Sequence, residues 1–145
     1  MENKNTHCYK YPRAAITVDI ILQYSSKILL IKRANNPFKD QWALPGGFMD
    51  MDETLEYAAK RELAEETGLN IIDLQQFKTY SEINRDPRHR TISTVFFHIS
   101  NDNTPDAVAG DDAKEAKWWD ITNLPKIAFD HNLIINDFIE SKKVR

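Results

Sequence analysis

Apolar and polar residues alternate along the first part of the chain. In residues 14–24 the apolar side chains recur at every second position, as Ile16, Val18, Ile20 and Leu22. This period of two is typical of a strand that buries one face. A serine pair follows, and residues 27–33 form a second, largely apolar run. The pattern therefore predicts two strands joined as a hairpin.

A helix is predicted in the middle of the chain. A short strand at residues 42–44 runs into a glycine pair, and a helix then covers about residues 54–67. Thr54 is a suitable N-cap, because its side-chain oxygen can accept a hydrogen bond from a backbone N–H group of the first turn. Gly68 stands where a helix commonly ends in a left-handed residue.

The second half of the chain adds further strands and a second helix. Residues 69–80 and 91–99 are rich in β-branched and aromatic side chains and are predicted strands. Trp118 and Trp119 end another short strand, and residues 131–142 have the apolar spacing of an amphipathic helix. We therefore predict an α+β fold in which a mixed sheet lies between helices.

Length and composition restrict the possible classes of protein. The 145 residues, with 41% apolar and 28% charged side chains, suit one domain, which we place at residues 11–145 after a flexible N-terminus at residues 1–10. No apolar run is long enough to cross a membrane. The net charge of −3 disfavours nucleic-acid binding. The single cysteine, Cys8, fits a reducing compartment, and we expect the cytoplasm.

The predicted central helix carries carboxylates where apolar residues are expected. Its apolar stripe begins within residues 55–59, but the next positions of the same face hold Glu62 and Glu66, with Glu65 beside them. Carboxylates placed so close together repel one another, and their burial is unfavourable without a cation. A hard divalent ion such as Mg²⁺ takes carboxylate oxygens and keeps positions open for water and phosphate. A solvated acidic face is the alternative.

The residues around this helix match a long sequence motif. They read Gly47-Phe48-Met49-Asp50-Met51-Asp52-Glu53, then seven residues, then Arg61-Glu62-Leu63-Ala64-Glu65-Glu66-Thr67-Gly68-Leu69. This run matches the Nudix box, G-x5-E-x7-R-E-U-x-E-E-x-G-U, at all seven fixed letters and at both bulky aliphatic positions U. The chain therefore resembles the Nudix hydrolases, and the resemblance extends from about residue 14 to the tryptophan pair at residues 118–119.

The resemblance implies a fold, a cofactor and roles for the residues of the box. Nudix hydrolases have an α/β/α sandwich with a central mixed β-sheet, and they cleave nucleoside diphosphates linked to another group with Mg²⁺ or Mn²⁺. The family pattern makes Glu62, Glu65 and Glu66 the metal ligands and pairs Arg61 with Glu53, which orients the loop before the helix. Attack by metal-activated water is the implied reaction, so no covalent nucleophile is expected. A homodimer is also expected.

Segments outside the box indicate the substrate. Arg85, Arg88 and Arg90 precede the strand predicted at residues 91–99, and arginine can bind phosphate through paired hydrogen bonds. The Arg-Asp-Pro-Arg element resembles the ADP-ribose pyrophosphatase branch of the family. It also resembles the Nudix domains that sense ADP-ribose in transcription regulators. A solvated hairpin loop is the alternative.

The other predicted substrate-binding residues surround the glycine pair. Arg33 ends the second predicted strand and is a candidate phosphate contact. Gly46 and Gly47 allow the backbone to approach a ligand closely. Phe48, or one of its aromatic neighbours Phe38 and Trp42, is placed to stack on adenine, although aromatic residues near a strand end more often belong to the core.

An acidic segment is a candidate source of the general base. Residues 109–119 resemble the acidic loop that precedes the late tryptophan-rich strand in the ADP-ribose branch. Glu115 is the best candidate there, with Asp111 and Asp112 behind it, and Glu53 of the box is the next candidate outside the segment. The predicted catalytic residues are thus Glu53, Arg61, Glu65 and Glu115. A surface acidic loop is the alternative reading of the segment.

The sequence leaves more than one function open. The leading hypothesis is hydrolysis of ADP-ribose, or of a related nucleoside diphosphate sugar, to AMP and a sugar phosphate. A second is hydrolysis of oxidised nucleoside triphosphates, and a third is a non-catalytic ADP-ribose-binding module. Regulators of the third kind carry a further C-terminal DNA-binding domain, for which we expect residues 141–145 to be too short. The expected partner is a small nucleotide, with neither nucleic acid nor membrane.

Overall fold

The strands and helices follow the predicted order. A computed structural model describes residues 8–110 and 112–143. Within these residues the elements are, in chain order, β1 (Ala15–Tyr24), β2 (Lys27–Arg33), β3 (Trp42–Ala43), β4 (Gly46–Phe48), α1 (Leu55–Thr67), β5 (Gln75–Tyr80), β6 (Thr91–Ser100), β7 (Ala113–Asp120) and α2 (His131–Lys143). Neither helix in this described part of the chain has the length and apolar character needed to cross a membrane.

One mixed sheet joins the strands around β1 and β2. These two strands pair antiparallel as the predicted hairpin, while β1 runs parallel to β6 from Ala15 opposite Thr91 to Tyr24 opposite Ser100. The strand order is β3-β2-β1-β6-β5, with β4 paired to β1 and β7 paired to β2. The predicted α+β class with a mixed sheet is therefore confirmed.

Helices pack against both faces of this sheet. Successive side chains of a strand point to opposite faces. Ile20 accordingly packs in one apolar cluster with Leu63 of α1, whereas Ile21 packs in another with Phe138 of α2. All four side chains are at most 2% exposed. The middle of β1 is thus buried on both faces, and the single buried face expected from its alternation is wrong.

Both predicted ends of α1 are confirmed. The hydroxyl oxygen of Thr54 accepts a hydrogen bond from the Tyr57 N–H at 3.1 Å, which caps the N-terminus. Gly68 is left-handed, with φ of 73°, and its N–H donates to the Ala64 carbonyl at 2.9 Å. These caps determine the length of α1 and therefore the place of its glutamates next to β4.

Some strand boundaries differ from the prediction. Residues 69–74 are irregular, and β5 begins only at Gln75. Ile72 in that segment is 85% exposed, so its apolar character does not mark burial in a sheet. β4 was missed because its three residues, two of them glycine, are too short to show a period. Glu115, expected in a loop, lies within β7.

Candidate active site

An open cleft of about 380 Å³ lies where β1, β2 and β4 meet α1. Its acidic lining residues are Asp19, Asp50, Glu62, Glu66, Asp86 and Asp112, and its basic ones include Arg33, Arg85 and Arg88. Two aromatic rings, Phe48 and Phe129, also line it. The cleft therefore offers carboxylates for a cation and guanidinium groups for an anion within one cavity.

The backbone of β4 lies directly against the glutamates of α1. The Gly46 N–H donates a hydrogen bond to Glu66 Oε2 at 3.0 Å. A Cβ atom on Gly47 would lie 2.5 Å from Glu62 Oε1. This distance is too short for a non-bonded contact, so the position favours glycine, which has no Cβ atom. The glycine pair thus allows the strand to contact both carboxylates.

Burial in the cleft makes the ionised form of these two carboxylates unfavourable. Burial raises the pKa of Glu66 to about 8, even though the Gly46 N–H lowers it, and the charge of Glu62 adds to the increase. Burial also raises the pKa of Glu62, against the lowering effect of Arg61. A bound cation would relieve both the burial and the repulsion, because it favours the charged form of each carboxylate.

Glu62 and Glu66 fit a hard divalent ion. Among the described residues, no group of three or more His, Cys, Asp or Glu side chains is arranged to hold a metal by itself. Mg²⁺ does not require such a group, since it commonly binds through one or two carboxylates and fills its other positions with water and phosphate oxygens. Glu62 and Glu66 stand one helical turn apart and both line the cleft.

Glu65 lies apart from the other two glutamates of the predicted trio. Its side chain is 58% exposed, and its carboxylate accepts a hydrogen bond from Arg61 Nη1 at 3.1 Å. It does not belong to the cleft lining, because one residue of helix rotates a side chain about 100° from its neighbour Glu66. The structure therefore brings together Glu62 and Glu66, with Glu65 on the neighbouring exposed side.

Arg61 connects the loop before α1 to these glutamates. Its Nε and Nη2 donate to the two carboxylate oxygens of Glu53 at 2.8 and 2.6 Å, and its Nη1 donates to Glu62 Oε1 at 2.9 Å. Nη2 also donates to the Phe48 carbonyl at 3.0 Å. Hydrogen bonds from Arg61 hold the pKa of Glu53 below its ordinary value. Glu53 is therefore an ionised partner of Arg61, with both of its oxygens occupied.

A buried polar network beside the glutamates was missed from the sequence. Asp19 Oδ2 accepts a hydrogen bond from Ser93 Oγ at 2.5 Å, and its Oδ1 lies 3.4 Å from His131 Nε2. His131 Nδ1 accepts from the Leu44 N–H at 3.0 Å, so the ring proton is on Nε2. Burial lowers the pKa of His131, which favours the neutral ring. The available signal was an aspartate inside the apolar run of β1.

The three predicted arginines take different positions. Arg85 is 4% exposed and makes two hydrogen bonds to Asp130, at 2.9 and 2.7 Å. Arg88 makes two hydrogen bonds to Asp86, at 3.1 and 2.8 Å. Both arginines line the cleft. Arg90 does not line it and instead donates to a backbone carbonyl just after β5 at 2.7 Å.

Arg33, unlike Arg85 and Arg88, has no ion-pair partner among the described carboxylates. Its Nε donates to the Pro37 carbonyl at 2.8 Å. Burial lowers its pKa, and the charge of Arg88 lowers it further. A half-buried guanidinium in this setting is suited to bind an anionic ligand.

Of the aromatic residues around the glycine pair, Phe48 is the one in the cleft. It is 40% exposed, and the guanidinium carbon of Arg88 lies 5.4 Å from its ring centroid. Phe38 packs edge-on against Phe129, and Trp42 packs edge-on against Trp119. Phe38 and Trp42 are therefore core aromatics, whereas Phe48 is available to a ligand.

The acidic segment before β7 reaches the cleft through Asp112. Glu115 lies opposite Lys32 of β2, with its carboxylate 3.5 Å from Lys32 Nζ. Its side chain is 56% exposed and does not line the cleft. Asp112 does line the cleft, and its charge raises the pKa of Glu66 as a minor effect behind burial. Asp111 lies outside the described residues.

Comparisons with known proteins identify the family. The model of the NUDIX domain matches residues 12–138. The chain is 49% identical over 139 residues to an ADP-ribose pyrophosphatase of Methanocaldococcus jannaschii, a match that covers 96% of this chain and 80% of that protein. The chain therefore belongs to the Nudix family, and the resemblance carried by the box is confirmed. It is a Nudix pyrophosphohydrolase, most similar in its sequence features to the ADP-ribose branch.

Solved structures agree with this assignment. A bifunctional NMN adenylyltransferase/ADP ribose pyrophosphatase from Francisella tularensis, complexed with AMP and a Mn ion, superposes with a TM-score of 0.86 at 34% identity, covering 92% of this chain and 43% of that one. The NUDIX domain of Shewanella oneidensis NrtR complexed with ADP ribose superposes with a TM-score of 0.83 at 30% identity, covering 90% of each chain. Nudix hydrolases generally depend on a divalent metal ion, and one of these structures contains such an ion.

Proposed function

We propose that the protein is an ADP-ribose pyrophosphohydrolase that uses Mg²⁺ or Mn²⁺ to convert ADP-ribose into AMP and ribose 5-phosphate. The observation that carries the proposal is the presence of Glu62 and Glu66 in the same cavity as Arg33 and Arg88. A diphosphate between two sugars needs both a cation at the reacting phosphate and donors for the remaining oxygens. The named activity of the 49% identical relative and the ADP ribose bound to the NrtR domain support this choice of substrate.

The proposed reaction assigns tasks to several side chains of the cleft and to Arg61 beside it. Glu62 and Glu66 would hold the divalent ion, and Arg61 keeps the Glu62 carboxylate in position through its hydrogen bond. When bound there, the ion would supply an activated water and positive charge that offsets the charge of the phosphoryl oxygens. Arg33 and Arg88 bind the diphosphate by charge-assisted hydrogen bonds. No covalent nucleophile is required.

We propose Asp112, in place of Glu115, as the carboxylate that orients the attacking water, since Asp112 lines the cleft and Glu115 does not. Replacing Asp112 by asparagine should lower kcat by roughly tenfold or more, because an amide is a poor proton acceptor. Glu115→Gln is the matched control and should change kcat by less than about twofold. Steady-state AMP release measures both. A larger loss of kcat in Glu115→Gln than in Asp112→Asn would show that Glu115 is the general base.

Arg88 is expected to contribute to substrate binding where Arg90 does not. Arg88→Lys keeps the charge but loses the paired donors, and it should weaken ADP-ribose binding by about 1–3 kcal/mol, the usual worth of charge-assisted hydrogen bonds. Arg90→Lys is the matched control, since Arg90 lies outside the cleft. Calorimetric titration with ADP-ribose in the presence of Ca²⁺ measures both variants. Equal losses, or a loss only in the Arg90 variant, would contradict this assignment of the two arginines.

Product analysis separates the proposed enzyme from the alternatives. With Mg²⁺, we expect ADP-ribose to yield AMP and ribose 5-phosphate in equal amounts. Tight binding of ADP-ribose with no product would favour the non-catalytic binding module. Faster turnover of an oxidised deoxynucleoside triphosphate would favour the nucleotide-cleaning alternative. A cytoplasmic location and a homodimer remain predictions. Sedimentation equilibrium measures the mass in solution and so tests the homodimer.

A further inference from the structure

Two guanidinium groups of the cleft share one aromatic neighbour. The guanidinium carbon of Arg33 lies 4.8 Å from the ring centroid of Phe129, and that of Arg88 lies 5.6 Å from the same centroid. Both distances are within the range of about 6 Å over which a cation is attracted to an aromatic face. Phe129 itself lines the cleft. Its ring is therefore placed to hold both cations at once.

The two guanidinium groups need such support because they repel one another. The charge of Arg88 lowers the pKa of Arg33, as a contribution second to burial. Arg88 has an ion-pair partner in Asp86, whereas Arg33 has none among the described carboxylates. An aromatic face offers a planar surface on which guanidinium groups stack, together with a negative potential that partly offsets their charge. Arg88 is also held by Asp86 and by the ring of Phe48, so Phe129 is the aromatic neighbour that the two cations share.

The backbone that carries this ring is held in an unusual conformation. Phe129 has φ of 54°, which is uncommon for a bulky side chain and persists only where surrounding contacts impose it. Those contacts are present on both sides. The Ala128 N–H donates to the Trp42 carbonyl at 2.8 Å, and Asp130 is bound by the buried Arg85 at 2.7 Å. The position of the ring is therefore set by its neighbours and not by packing in the cleft alone.

We propose that Phe129 is a positioning residue for the substrate diphosphate, because its ring holds the guanidinium groups of Arg33 and Arg88 close enough to bind one diphosphate together. The identity of the substrate rests on the proposed function. The positioning of the two arginines does not, since any diphosphate ligand reports on it. Without the ring, Arg88 keeps its hydrogen bonds to Asp86, but Arg33 loses the surface that holds it beside Arg88.

The first test compares substitutions of Phe129 with a matched change of its packing partner. Phe129→Leu removes the aromatic face and should raise KM for ADP-ribose by roughly fivefold to tenfold, with kcat changed by less than about twofold. Phe129→Tyr keeps the face and should restore KM. Phe38→Leu is the control, because Phe38 packs against Phe129 at 4.7 Å between ring centroids but makes no cation–aromatic contact with either arginine. An equal rise in KM for Phe38→Leu would show simple loss of packing and overturn the proposal.

The second test asks whether Phe129 acts through Arg33. In an Arg33→Met background, Phe129→Leu should raise KM by clearly less than it does in the parent, since one of the two cations that the ring positions is absent. A full, independent effect in that background would overturn the proposal. The same variants are titrated with ADP by calorimetry, where the same pattern of dissociation constants is expected. If the parent protein fails to hydrolyse ADP-ribose, the proposed function fails, while the ADP titration still decides the role of Phe129.

Discussion

Replacing Glu66 by glutamine is expected to lower kcat by roughly 100- to 1,000-fold, equivalent to about 3–4 kcal/mol of lost transition-state stabilisation. The amide preserves the shape of the side chain and can still accept the hydrogen bond from Gly46 N–H. It removes the negative charge that we assign to the metal ion. Near-normal turnover at saturating Mg²⁺ would show that Glu66 is not a ligand.

The stability of this variant gives a second, independent result. Burial raises the pKa of Glu66 to about 8, so the folded state of the metal-free protein resists the charged form. A carboxyl group whose folded pKa exceeds its unfolded value destabilises the fold increasingly as pH rises from the unfolded value through the folded one. Without metal at pH 8, Glu66→Gln should therefore unfold at a temperature equal to or above that of the parent.

Added Mg²⁺ should reverse this order. The ion binds the folded parent and stabilises it by mass action, but it should stabilise the variant much less. Glu56→Gln is the matched control on the same helix, since Glu56 is exposed and outside the cleft. It should follow the parent in kcat and in its response to Mg²⁺. A Glu66 variant that is stabilised by Mg²⁺ as strongly as the parent would contradict the assignment.

Replacing Arg61 by methionine is expected to be the most destabilising change in the box. It leaves Glu53, whose side chain is 5% exposed, without its cation, and breaking a buried ion pair in this way costs about 3 kcal/mol. Turnover should fall as well, by roughly 100-fold, because Glu62 loses the donor that orients it. Urea unfolding at constant m-value measures the stability, and Lys60→Met on the exposed side of α1 is the control.

A double variant separates the two effects of Arg61. Glu53→Gln combined with Arg61→Met removes the charge that Arg61→Met alone leaves unpaired on Glu53, so it should be more stable than Arg61→Met alone by about 1–2 kcal/mol. Turnover should stay low, because Glu62 still lacks its donor. If the loss of unfolding free energy in the double variant equalled the sum of the losses in Glu53→Gln and Arg61→Met, the ion pair between Glu53 and Arg61 would contribute nothing specific to the fold.

The elements around the glutamates were predictable from local chemistry. Thr54 and Gly68 mark the ends of α1 by capping, and capping depends only on residues within one turn. The face shared by Glu62 and Glu66 follows from helical rotation alone. The sequence also showed that both continue a stripe that starts with apolar side chains, with a solvated acidic face as the alternative.

The features that sequence reasoning missed depend on residues far apart in the chain. Asp19 and His131 meet only because β1 and the start of α2 line the same cavity. Glu115 and Asp112 are close in sequence, but the start of β7 at Ala113 turns Glu115 towards Lys32 and away from the cleft. Arg88 and Arg90 both precede β6, and only the fold of their loop places Arg88 in the cleft lining and Arg90 outside it.

The ratio of kcat/KM for ADP-ribose to that for 8-oxo-dGTP, measured by nucleoside monophosphate release with and without Mg²⁺, tests the central claim most directly. A cleft that joins a carboxylate-held ion to the paired cations Arg33 and Arg88 should favour ADP-ribose by at least about tenfold, a difference of roughly 1.4 kcal/mol, with no release in excess EDTA. Metal-independent release of AMP, or a higher kcat/KM for 8-oxo-dGTP, would contradict it.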